Sequence, residues 1–427
     1  MTGAKAYLVP HAGLVYSGAV SAAVWRHLRD QGVRRVVLLG FRHRGGVRGL
    51  AVPDLDHYET PLGEVAVDRH HPFQLQPAQQ HSDHSVEIQL PFLRYALPDA
   101  TLLPVYVGQM TPEETEWAAL RLAELIDAGA VLVASSDFTH YGRDFQYRPF
   151  EADEHVAGRL ARLDGLLMEA SGSLEPGLFQ AEIDSTESNL CGGAPIRLLQ
   201  RSLQNLAGEE IFQRTLDYQT SGEITGSFSH SVSYAALGYF PASSFQPGNP
   251  AREKLLELAR TALAHYETNG ERPHTEDDGG MRGAAFVTLR EQGELRGCVG
   301  RITGDKPLSS IVPGLALSAA LDDSRFETKP VRAAALDIEI SLLTPFKRID
   351  TPERIEAGRH GAHLECGDRR GLLLPQVASD RGWSRDQFLE ALSVKAGGHR
   401  KLYREPEAKL SLFLGHRFSS EATGKVI

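Results

Sequence analysis

The sequence predicts two domains of different class: an α/β domain with a mostly parallel sheet, followed by an α+β domain. Three observations lead to this prediction. The chain has 427 residues, more than one hydrophobic core usually serves. Its first part alternates short aliphatic runs with helical patterns, whereas its last part contains strands joined by a tight turn. Between the two parts, residues 239–252 concentrate proline, glycine and serine.

The first part contains short β-branched or aliphatic runs that are typical of buried strands. The predicted strands are AYLV (6–9), RRVVLLG (34–40), TLLPVYVG (101–108) and AVLVASS (130–136). The predicted helices are SAAVWRHLRDQ (21–31), PEETEWAALRLAELIDAG (112–129) and PIRLLQRSLQNLAG (195–208). Because parallel strands need crossover helices, this alternation favours a mostly parallel sheet covered on both faces.

The segment YFPASSFQPGNPAR (239–252) is interpreted as a linker. It contains three prolines together with glycine, serines and asparagine. Since proline lacks a backbone donor, we expect neither a helix nor a central strand here. The predicted domains are therefore 1–240 and 251–427.

The pattern changes after the linker. REKLLELARTALAHYE (252–267) is an amphipathic helix, and GAAFVTLREQGELRGCVGRI (283–302) predicts two strands around a turn at Gly293. ALDIEISLLTP (335–345) predicts another strand. Strands joined by hairpins, with helices beside them, indicate an α+β domain.

Composition argues against several classes of partner. The formal net charge is −10, so general attraction to nucleic acid or to an anionic membrane is not expected. The basic group Arg42, Arg44 and Arg48 is interpreted as a solvated loop rather than a phosphate site. No apolar run reaches membrane-spanning length or is typical of a signal peptide, and the three cysteines are sparse. We therefore expect a cytoplasmic protein without structural disulfides.

Polar side chains follow three of the predicted strands. His11 comes just after the first strand, His43 after the second, and Asp137 and His140 after the fourth. In open parallel sheets, ligands bind where the carboxyl ends of strands converge. Each histidine alone could be structural, but three strand ends delivering imidazole or carboxylate groups to one edge favour a functional site.

Two further segments could contribute to that site. Cys191 lies in a glycine-rich turn before a predicted helix, a position that biases a thiol toward the thiolate, although a small buried side chain is the alternative. His84 and Glu87 have a spacing that places them on one helix face. Glu87 could cap or pair, and His84 could line a pocket.

Motifs collinear over residues 5–240 resemble the Memo family. They are PHAGLVYSG (10–18), LLGFRH (38–43), DHSVEIQLPFL (83–93), SSDFTHYG (135–142), CGGAPI (191–196) and SVSYAALGYF (231–240). The resemblance implies a fold similar to class III extradiol dioxygenases, whose non-haem iron uses two histidines and a carboxylate. For Memo proteins it implies a metal pocket of two histidines and one cysteine. Those positions are His11, His43 and Cys191 here.

The resemblance also places Asp137, His140 and His84 beside the metal pocket. We expect Asp137 to orient an imidazole or act as a base, and His140 to act as an acid or base with an ordinary pKa near ~6.5. The sequence departs from the family pattern at Phe41 and Arg44 and lacks the usual segment before the first strand. Pocket shape and substrate preference are the properties that these departures affect.

The second half resembles the AMMECR family across roughly residues 252–425. The motifs are LRGCVG (295–300), SRFETKP (324–330), LDIEISLLTP (336–345), GLLLPQVASDRGW (371–383) and KAGG (395–398). Cys298 could be a nucleophile, but no histidine is near it in sequence and buried packing is the favoured interpretation. The combination of the two families implies a radical S-adenosylmethionine protein as a partner.

Three functional hypotheses follow. The first is a metal-dependent oxidoreductase acting on a small molecule, with iron(II) as the preferred metal and copper or zinc admitted by the cysteine. The second is a metal-dependent hydrolase in which Asp137 or His140 activates water. The third is a non-catalytic metal- or peptide-binding scaffold. The sequence contains no P-loop, Rossmann glycine fingerprint, HExxH, CxxC or GxSxG motif.

Overall fold

The computed structural model describes residues 3–78, 82–275, 277 and 279–420. These residues form two compact units, one ending at Pro241 and the other beginning at Ala242. Within the described residues, no helix is both long enough and apolar enough to cross a membrane.

The N-terminal unit is a mixed α/β structure. Its strands are β1 (Ala6–Val9), β2 (Arg35–Gly40), β3 (Leu50–Pro53), β4 (His57–Tyr58), β5 (Val65–Ala66), β6 (Leu75–Gln76), β7 (Thr101–Val107), β8 (Val131–Ser135), β9 (His140–Gly142), β10 (Ile211–Thr220) and β11 (His230–Pro241). Its helices are α1 (Leu14–Asp30), α2 (His84–Glu87), α3 (Leu90–Ala96), α4 (Pro112–Asp127), α5 (Val156–Gly172), α6 (Pro176–Thr186), α7 (Gly193–Gln204) and α8 (Ser221–Thr225).

The main sheet is parallel at its centre and antiparallel toward its edges. The strand order is β10-β11-β1-β8-β2-β7-β3-β6, and β9 pairs with β11. The four central strands, β1, β8, β2 and β7, are parallel neighbours. The long β10–β11 hairpin is antiparallel and pairs with β1. The sequence predicted the parallel centre but not this hairpin.

Burial explains why the sequences of the central strands are continuously apolar. Each residue of β1 and of β8 is buried, as expected for strands covered on both faces. Helix α4 begins with a capping box in which Thr111 and Glu114 exchange hydrogen bonds, and its apolar face packs into the same core as these strands. The carboxyl ends of β1, β2, β7 and β8 consequently lie at one edge of the sheet.

The predicted linker contains more regular structure than expected. Strand β11 continues to Pro241, a 3₁₀ turn occupies Ala242–Phe245, and helix α9 (Asn249–Asn269) follows. The expectation of neither helix nor strand is therefore wrong over much of the segment. The physical reason is position: proline is tolerated at the end of a strand and in the first turn of a helix, where Pro250 lies.

The C-terminal unit is built on an antiparallel sheet. Its elements are α9 (Asn249–Asn269), β12 (Ala284–Glu291), β13 (Glu294–Arg301), α10 (Leu308–Leu321), β14 (Leu336–Leu343), β15 (Lys347–Ile349), β16 (His360–Cys366), β17 (Arg369–Leu373), α11 (Pro375–Arg381), α12 (Arg385–Lys395) and β18 (Lys409–Ser420). The strand order is β13-β12-β14-β18-β16-β17, with β15 paired to β18.

The predicted hairpin of the C-terminal unit is confirmed. Strands β12 and β13 pair antiparallel and are joined by Gln292 and Gly293, whose φ angles are +55° and +83°. Positive φ at both turn residues matches the twist of a tight hairpin, and glycine accepts it without steric strain. Helices α9 and α10 pack with this sheet around one apolar core.

Candidate metal centre

His11 is fixed by the loop that follows β1. Its backbone N–H donates to Oδ1 of Asp137 at 2.7 Å, and its ring Nδ1 lies 2.9 Å from Oγ of Ser135. The carbonyl of the preceding Pro10 accepts from Gln89 at 2.7 Å. The side chain is almost completely buried, at 2% exposure. The second ring nitrogen, Nε2, is therefore directed away from Ser135 in a ring of fixed orientation.

His43 is fixed by the short helix α2. Oδ2 of Asp83 accepts from the backbone N–H of His43 at 2.8 Å, and Oδ1 lies 2.9 Å from its ring Nδ1. Asp83 also caps α2 by accepting from the N–H of Ser85 at 2.9 Å. Close approach of α2 to β2 requires Gly40, because a Cβ there would lie 2.5 Å from Cγ2 of Val86.

Cys191 is placed by contact between the start of α7 and the end of β8. The N–H of Gly192 donates to Oγ of Ser136 at 2.9 Å, and a Cβ at Gly192 would lie 2.6 Å from the carbonyl oxygen of Ser135. The Cys191 Sγ accepts from the N–H of Asp137 at 3.2 Å. Gly192 of the CGG motif thus allows the thiol to reach the strand end.

These elements bring His11, His43 and Cys191 together as the His/His/Cys cluster. One ligand atom from each lies within 4.8 Å of the other two. The Cys191 Sγ is 3.2 Å from Nε2 of His11, and the rings of His11 and His43 are edge to face with centroids 5.2 Å apart. The convergence of distant strand ends therefore brings the three predicted side chains into one site.

Burial controls the protonation of this cluster. Burial, followed by the neighbouring His43 and His84, lowers the pKa of His11 well below its ordinary value. Burial, followed by the charge of Asp137, raises the pKa of the Cys191 thiol above its ordinary value. The sequence-based expectation of a thiolate bias is wrong in the metal-free protein, because desolvation outweighs the helix N-terminus and the hydrogen bonds.

Asp137 is buried but does not orient an imidazole as expected. Its carboxylate accepts from the backbone N–H of His11, while Ser135 contacts the ring. Burial raises the pKa of Asp137 to about 7, against the lowering effect of backbone hydrogen bonds from His11 and Ala12. Asp137 thus fixes the loop after β1 and carries a proton that can exchange near neutral pH.

His140 lies at the start of β9 and is held through its backbone. Its N–H donates to Oδ1 of Asn189 at 3.0 Å, and Nδ2 of Asn189 donates to its carbonyl at 2.8 Å. Burial lowers the pKa of His140, so the expectation of an ordinary value is wrong. Its buried ring Nδ1 has no hydrogen-bond partner among the described residues.

His84 lies beside the His/His/Cys cluster and is the most accessible of the predicted histidines. Its ring stacks on that of His43 with centroids 4.1 Å apart and an interplanar angle of 18°. Its side chain is 57% exposed, and burial of the remainder lowers its pKa. His43, Asp83 and His84 form a second group with metal-ligand spacing. Glu87 accepts from the hydroxyl of Ser82.

Sequence reasoning missed two residues that orient the imidazoles, Asp83 and Ser135. Burial alone would raise the pKa of Asp83, but hydrogen bonds from Ser85 and His43 lower it to about 2, so it is an ionised acceptor at neutral pH. Asp83 precedes His84 within the motif and shows the helix-capping pattern. That pattern could have placed it in contact with α2, but not with the ring of His43.

The site opens into a cavity of about 600 Å³ at the same sheet edge. This strand-edge cavity is lined by residues after β2 and β7 and by the first turns of α7, among them Phe41, Arg42, Met110, Cys191 and Arg197. The group Arg42, Arg44 and Arg48 is not a uniform solvated loop, because Arg42 is half-buried while the other two are exposed. Cys191 is the member of the His/His/Cys cluster that lines this cavity.

The geometry agrees with the family to which the motifs point. Residues 1–238 match the family model of the Memo-like proteins. The chain belongs to the Memo-like family. Residues 256–418 match the AMMECR1 family model, so the chain is a fusion of a Memo domain and an AMMECR1 domain.

Individual relatives match parts of the chain. "Protein memo-1 homolog" from Caenorhabditis elegans is 29% identical over 252 residues, which cover 55% of this chain and 71% of that protein. "Protein MK0488" from Methanopyrus kandleri is 39% identical over 183 residues, covering 40% of this chain and 88% of the relative. The crystal structure of the uncharacterized protein PH0010 from Pyrococcus horikoshii is 31% identical, covers 41% of this chain and 94% of that chain, and has a TM-score of 0.39.

Proposed function

We propose that the Memo domain binds a divalent metal through His11, His43 and Cys191 and uses it in an oxidoreductase reaction on a small molecule. The observation that carries the proposal is the convergence of three ligand atoms within 4.8 Å from three separate strand or helix ends. Such convergence of distant residues is expected of a binding site at the carboxyl edge of a parallel sheet.

The orientation of the two imidazoles supports the proposal. Metal-binding histidines usually use one ring nitrogen for the metal and the other for a protein acceptor. Nδ1 of His11 contacts Ser135 and Nδ1 of His43 contacts Asp83, which leaves both Nε2 atoms for a metal. The lowered pKa of His11 keeps its imidazole neutral, as ligation requires.

Three protein ligands fit a reactive rather than a structural metal site. Structural zinc sites are usually closed by four ligands, whereas three leave a position for water, oxygen or substrate. A divalent ion held there supplies Lewis acidity, and iron or copper also supplies redox chemistry. We favour iron(II), because the resemblance to the Memo family implies a fold similar to the extradiol dioxygenases, which use non-haem iron. The thiolate ligand also suits copper and zinc.

The remaining polar residues are proposed to move protons and shape the site. Asp137, whose raised pKa is about 7, exchanges a proton at its carboxylate near neutral pH. His140 offers a buried Nδ1 that has no partner among the described residues. His84 covers one face of His43 by stacking on its ring. These three roles are part of the same proposal.

Metal analysis of protein purified without oxygen tests the proposal. We expect stoichiometric iron, or uptake of one Co²⁺ per chain with a thiolate-to-metal charge-transfer band. Cys191→Ser should remove the band, whereas Cys298→Ser, the matched control in the other domain, should retain it. A protein that takes up no metal, or a band that persists in Cys191→Ser, would contradict the assignment.

The hydrolase alternative is favoured by one observation, the titration of Asp137 near neutral pH. Oxygen consumption by the iron-loaded protein distinguishes the oxidoreductase from the hydrolase activity, because only the oxidoreductase requires an oxidant. Metal binding without turnover in either assay would favour the scaffold. The implied radical S-adenosylmethionine partner and a cytoplasmic location are further proposals, tested by affinity purification from the native host and by fractionation.

A further inference from the structure

The strand-edge cavity carries two cationic side chains and no carboxylate among the described residues that line it. Arg42 follows β2, and Arg197 lies in the second turn of α7. Among the described residues, no carboxylate lies within salt-bridge distance of either guanidinium, and Asp184 is the acidic residue whose charge acts on Arg197. The chain as a whole has a net charge of −10. The charged side chains that line this cavity are therefore both positive, although the protein is acidic.

Arg197 is held in place rather than free in solvent. Its Nη1 donates to Oε1 of Gln180 at 2.7 Å, which leaves donors on the rest of its guanidinium available to the cavity. Arg42 lies over the turn at Gly45, with Nη2 about 3.5 Å from the position of a Cβ there. Both arginines line the same cavity, and a guanidinium group can donate two parallel hydrogen bonds to the oxygens of a carboxylate or phosphate.

The backbone adds to the same polarity. Helix α7 has 12 residues, and its N-cap, Gly192, makes no side-chain capping bond. The first turn of an α-helix has N–H groups without intrahelical acceptors and a partial positive charge. Ala194 and Pro195 of this turn line the cavity, and of these two only Ala194 has a backbone N–H. This turn thus reinforces the two arginines, which are the primary observation.

Most of the remaining lining is apolar, and its other polar members are Gln109 and Thr115. Phe41, Val47, Val107, Met110 and Leu198 contribute side chains, and Cys191 of the His/His/Cys cluster lies on the same wall. A ligand that satisfies both halves of this lining has an apolar body and an anionic group. The cavity volume of about 600 Å³ is in the range of small-molecule sites.

We propose that the strand-edge cavity binds a small organic anion, a carboxylate or a phosphate monoester with an apolar body, through Arg42 and Arg197. This inference rests on the proposed function in one respect: the bound anion is the substrate, placed beside Cys191 and the metal. The substrate class follows from the lining charge and not from the family.

Binding of simple probes to the full chain tests this inference. Benzoate and phenyl phosphate represent the two anion types, and benzamide is the neutral control of similar shape. Titration calorimetry should detect binding of at least one anion to metal-free protein and at least about tenfold weaker binding of benzamide. Whichever of benzoate and phenyl phosphate binds more tightly then identifies the preferred anionic group.

Arginine variants locate the site. Arg42→Gln and Arg197→Gln should each weaken anion binding by about tenfold. The double variant should abolish detectable binding. Arg197→Lys should recover part of the affinity, and Arg44→Gln, an exposed arginine of the same loop, should leave it unchanged. Thermal melts of each variant establish that the fold is retained.

The failures of the two proposals are distinguishable. Equal binding of benzamide and benzoate, or equal effects of Arg44→Gln and Arg42→Gln, overturns the anion site whatever the metal result. Co²⁺ uptake is measured in parallel on the same variants and should be unchanged by the arginine substitutions. Anion binding without Co²⁺ uptake overturns the metal proposal and leaves the anion site in place.

Discussion

The two domains use their polar side chains in opposite ways. In the Memo domain, distant strand ends bring His11, His43 and Cys191 within 4.8 Å of one another. In the AMMECR1 domain, the described histidines, cysteines and carboxylates form no group of three with that spacing. The difference is topological, because parallel strands direct all their carboxyl ends to one edge, whereas antiparallel neighbours alternate between edges.

The cysteines of the two domains illustrate this contrast. The Cys191 thiol contacts Nε2 of His11 and the backbone of Asp137. Cys298, in β13, accepts from the hydroxyl of Thr288, and its backbone is held by Asp323 and Arg325. Cys298 is therefore held in a strand beside a salt-bridged turn, where it is only partly buried, and the structural role expected of it stays a prediction.

The largest expected effect is on metal binding by the Memo domain. His11→Ala, His43→Ala and Cys191→Ala each remove one of three ligands, so metal affinity should fall by about two orders of magnitude or more. Equilibrium dialysis with Co²⁺ measures this metal affinity. Cys298→Ala, in the AMMECR1 domain, should have no effect. Equal losses in Cys191→Ala and Cys298→Ala would remove the distinction between the domains.

The next effect is the dependence of metal affinity on pH. The pKa of His11 is lowered, so its imidazole carries no proton to release near neutral pH, whereas the raised pKa of Cys191 keeps its thiol protonated without metal. Binding should release one proton from Cys191, and affinity should rise about tenfold per unit between roughly pH 7 and 9. Calorimetry in buffers of different ionisation enthalpy counts that proton, and a pH-independent affinity would contradict ligation by the thiol.

A smaller effect is expected from Asp83, which orients His43. Asp83→Asn replaces the ionised acceptor with a neutral amide, so metal affinity should fall by roughly 10- to 100-fold while the three ligands remain. The control is Asp323→Asn, which removes an equally hydrogen-bonded carboxylate from the AMMECR1 domain. Unchanged metal affinity in Asp83→Asn would show that the His43 ring needs no such support.

Sequence patterns predicted those parts of the structure that depend on local composition. Strand β1 has the bounds expected from its apolar run, and the β12–β13 hairpin has its turn at Gly293. The β10–β11 hairpin was not predicted, because β10 alternates polar and partly buried residues without a strong apolar run. Its position in the sheet is decided by pairing with β1, which is a long-range contact.

The candidate site likewise has features that the sequence predicted and features that depend on the folded structure. The ligand set His11, His43 and Cys191 was implied by the resemblance to the Memo family, and the structure brings the three residues together. Protonation could not be predicted, because the pKa values of Cys191 and His140 depend on burial. The roles of Asp83 and Ser135 also depend on contacts between segments far apart in sequence.

The smallest expected effect comes from separating the domains. Each unit contains its own apolar core, and all three members of the His/His/Cys cluster belong to residues before Pro241. Limited proteolysis should cut near residues 241–250, where Gly248 and Asn249 are exposed at the start of α9, and should release two folded fragments of roughly 240 and 175 residues. A fragment ending at Pro241 should therefore bind Co²⁺ within about twofold of the full chain, because it retains the ligands and their hydrogen-bond partners. Dialysis of the fragment and the intact protein under the same conditions measures the difference. Loss of folding in the fragment, or a much weaker metal affinity with the fold intact, would show that the AMMECR1 domain supports the site and that the two domains do not function independently.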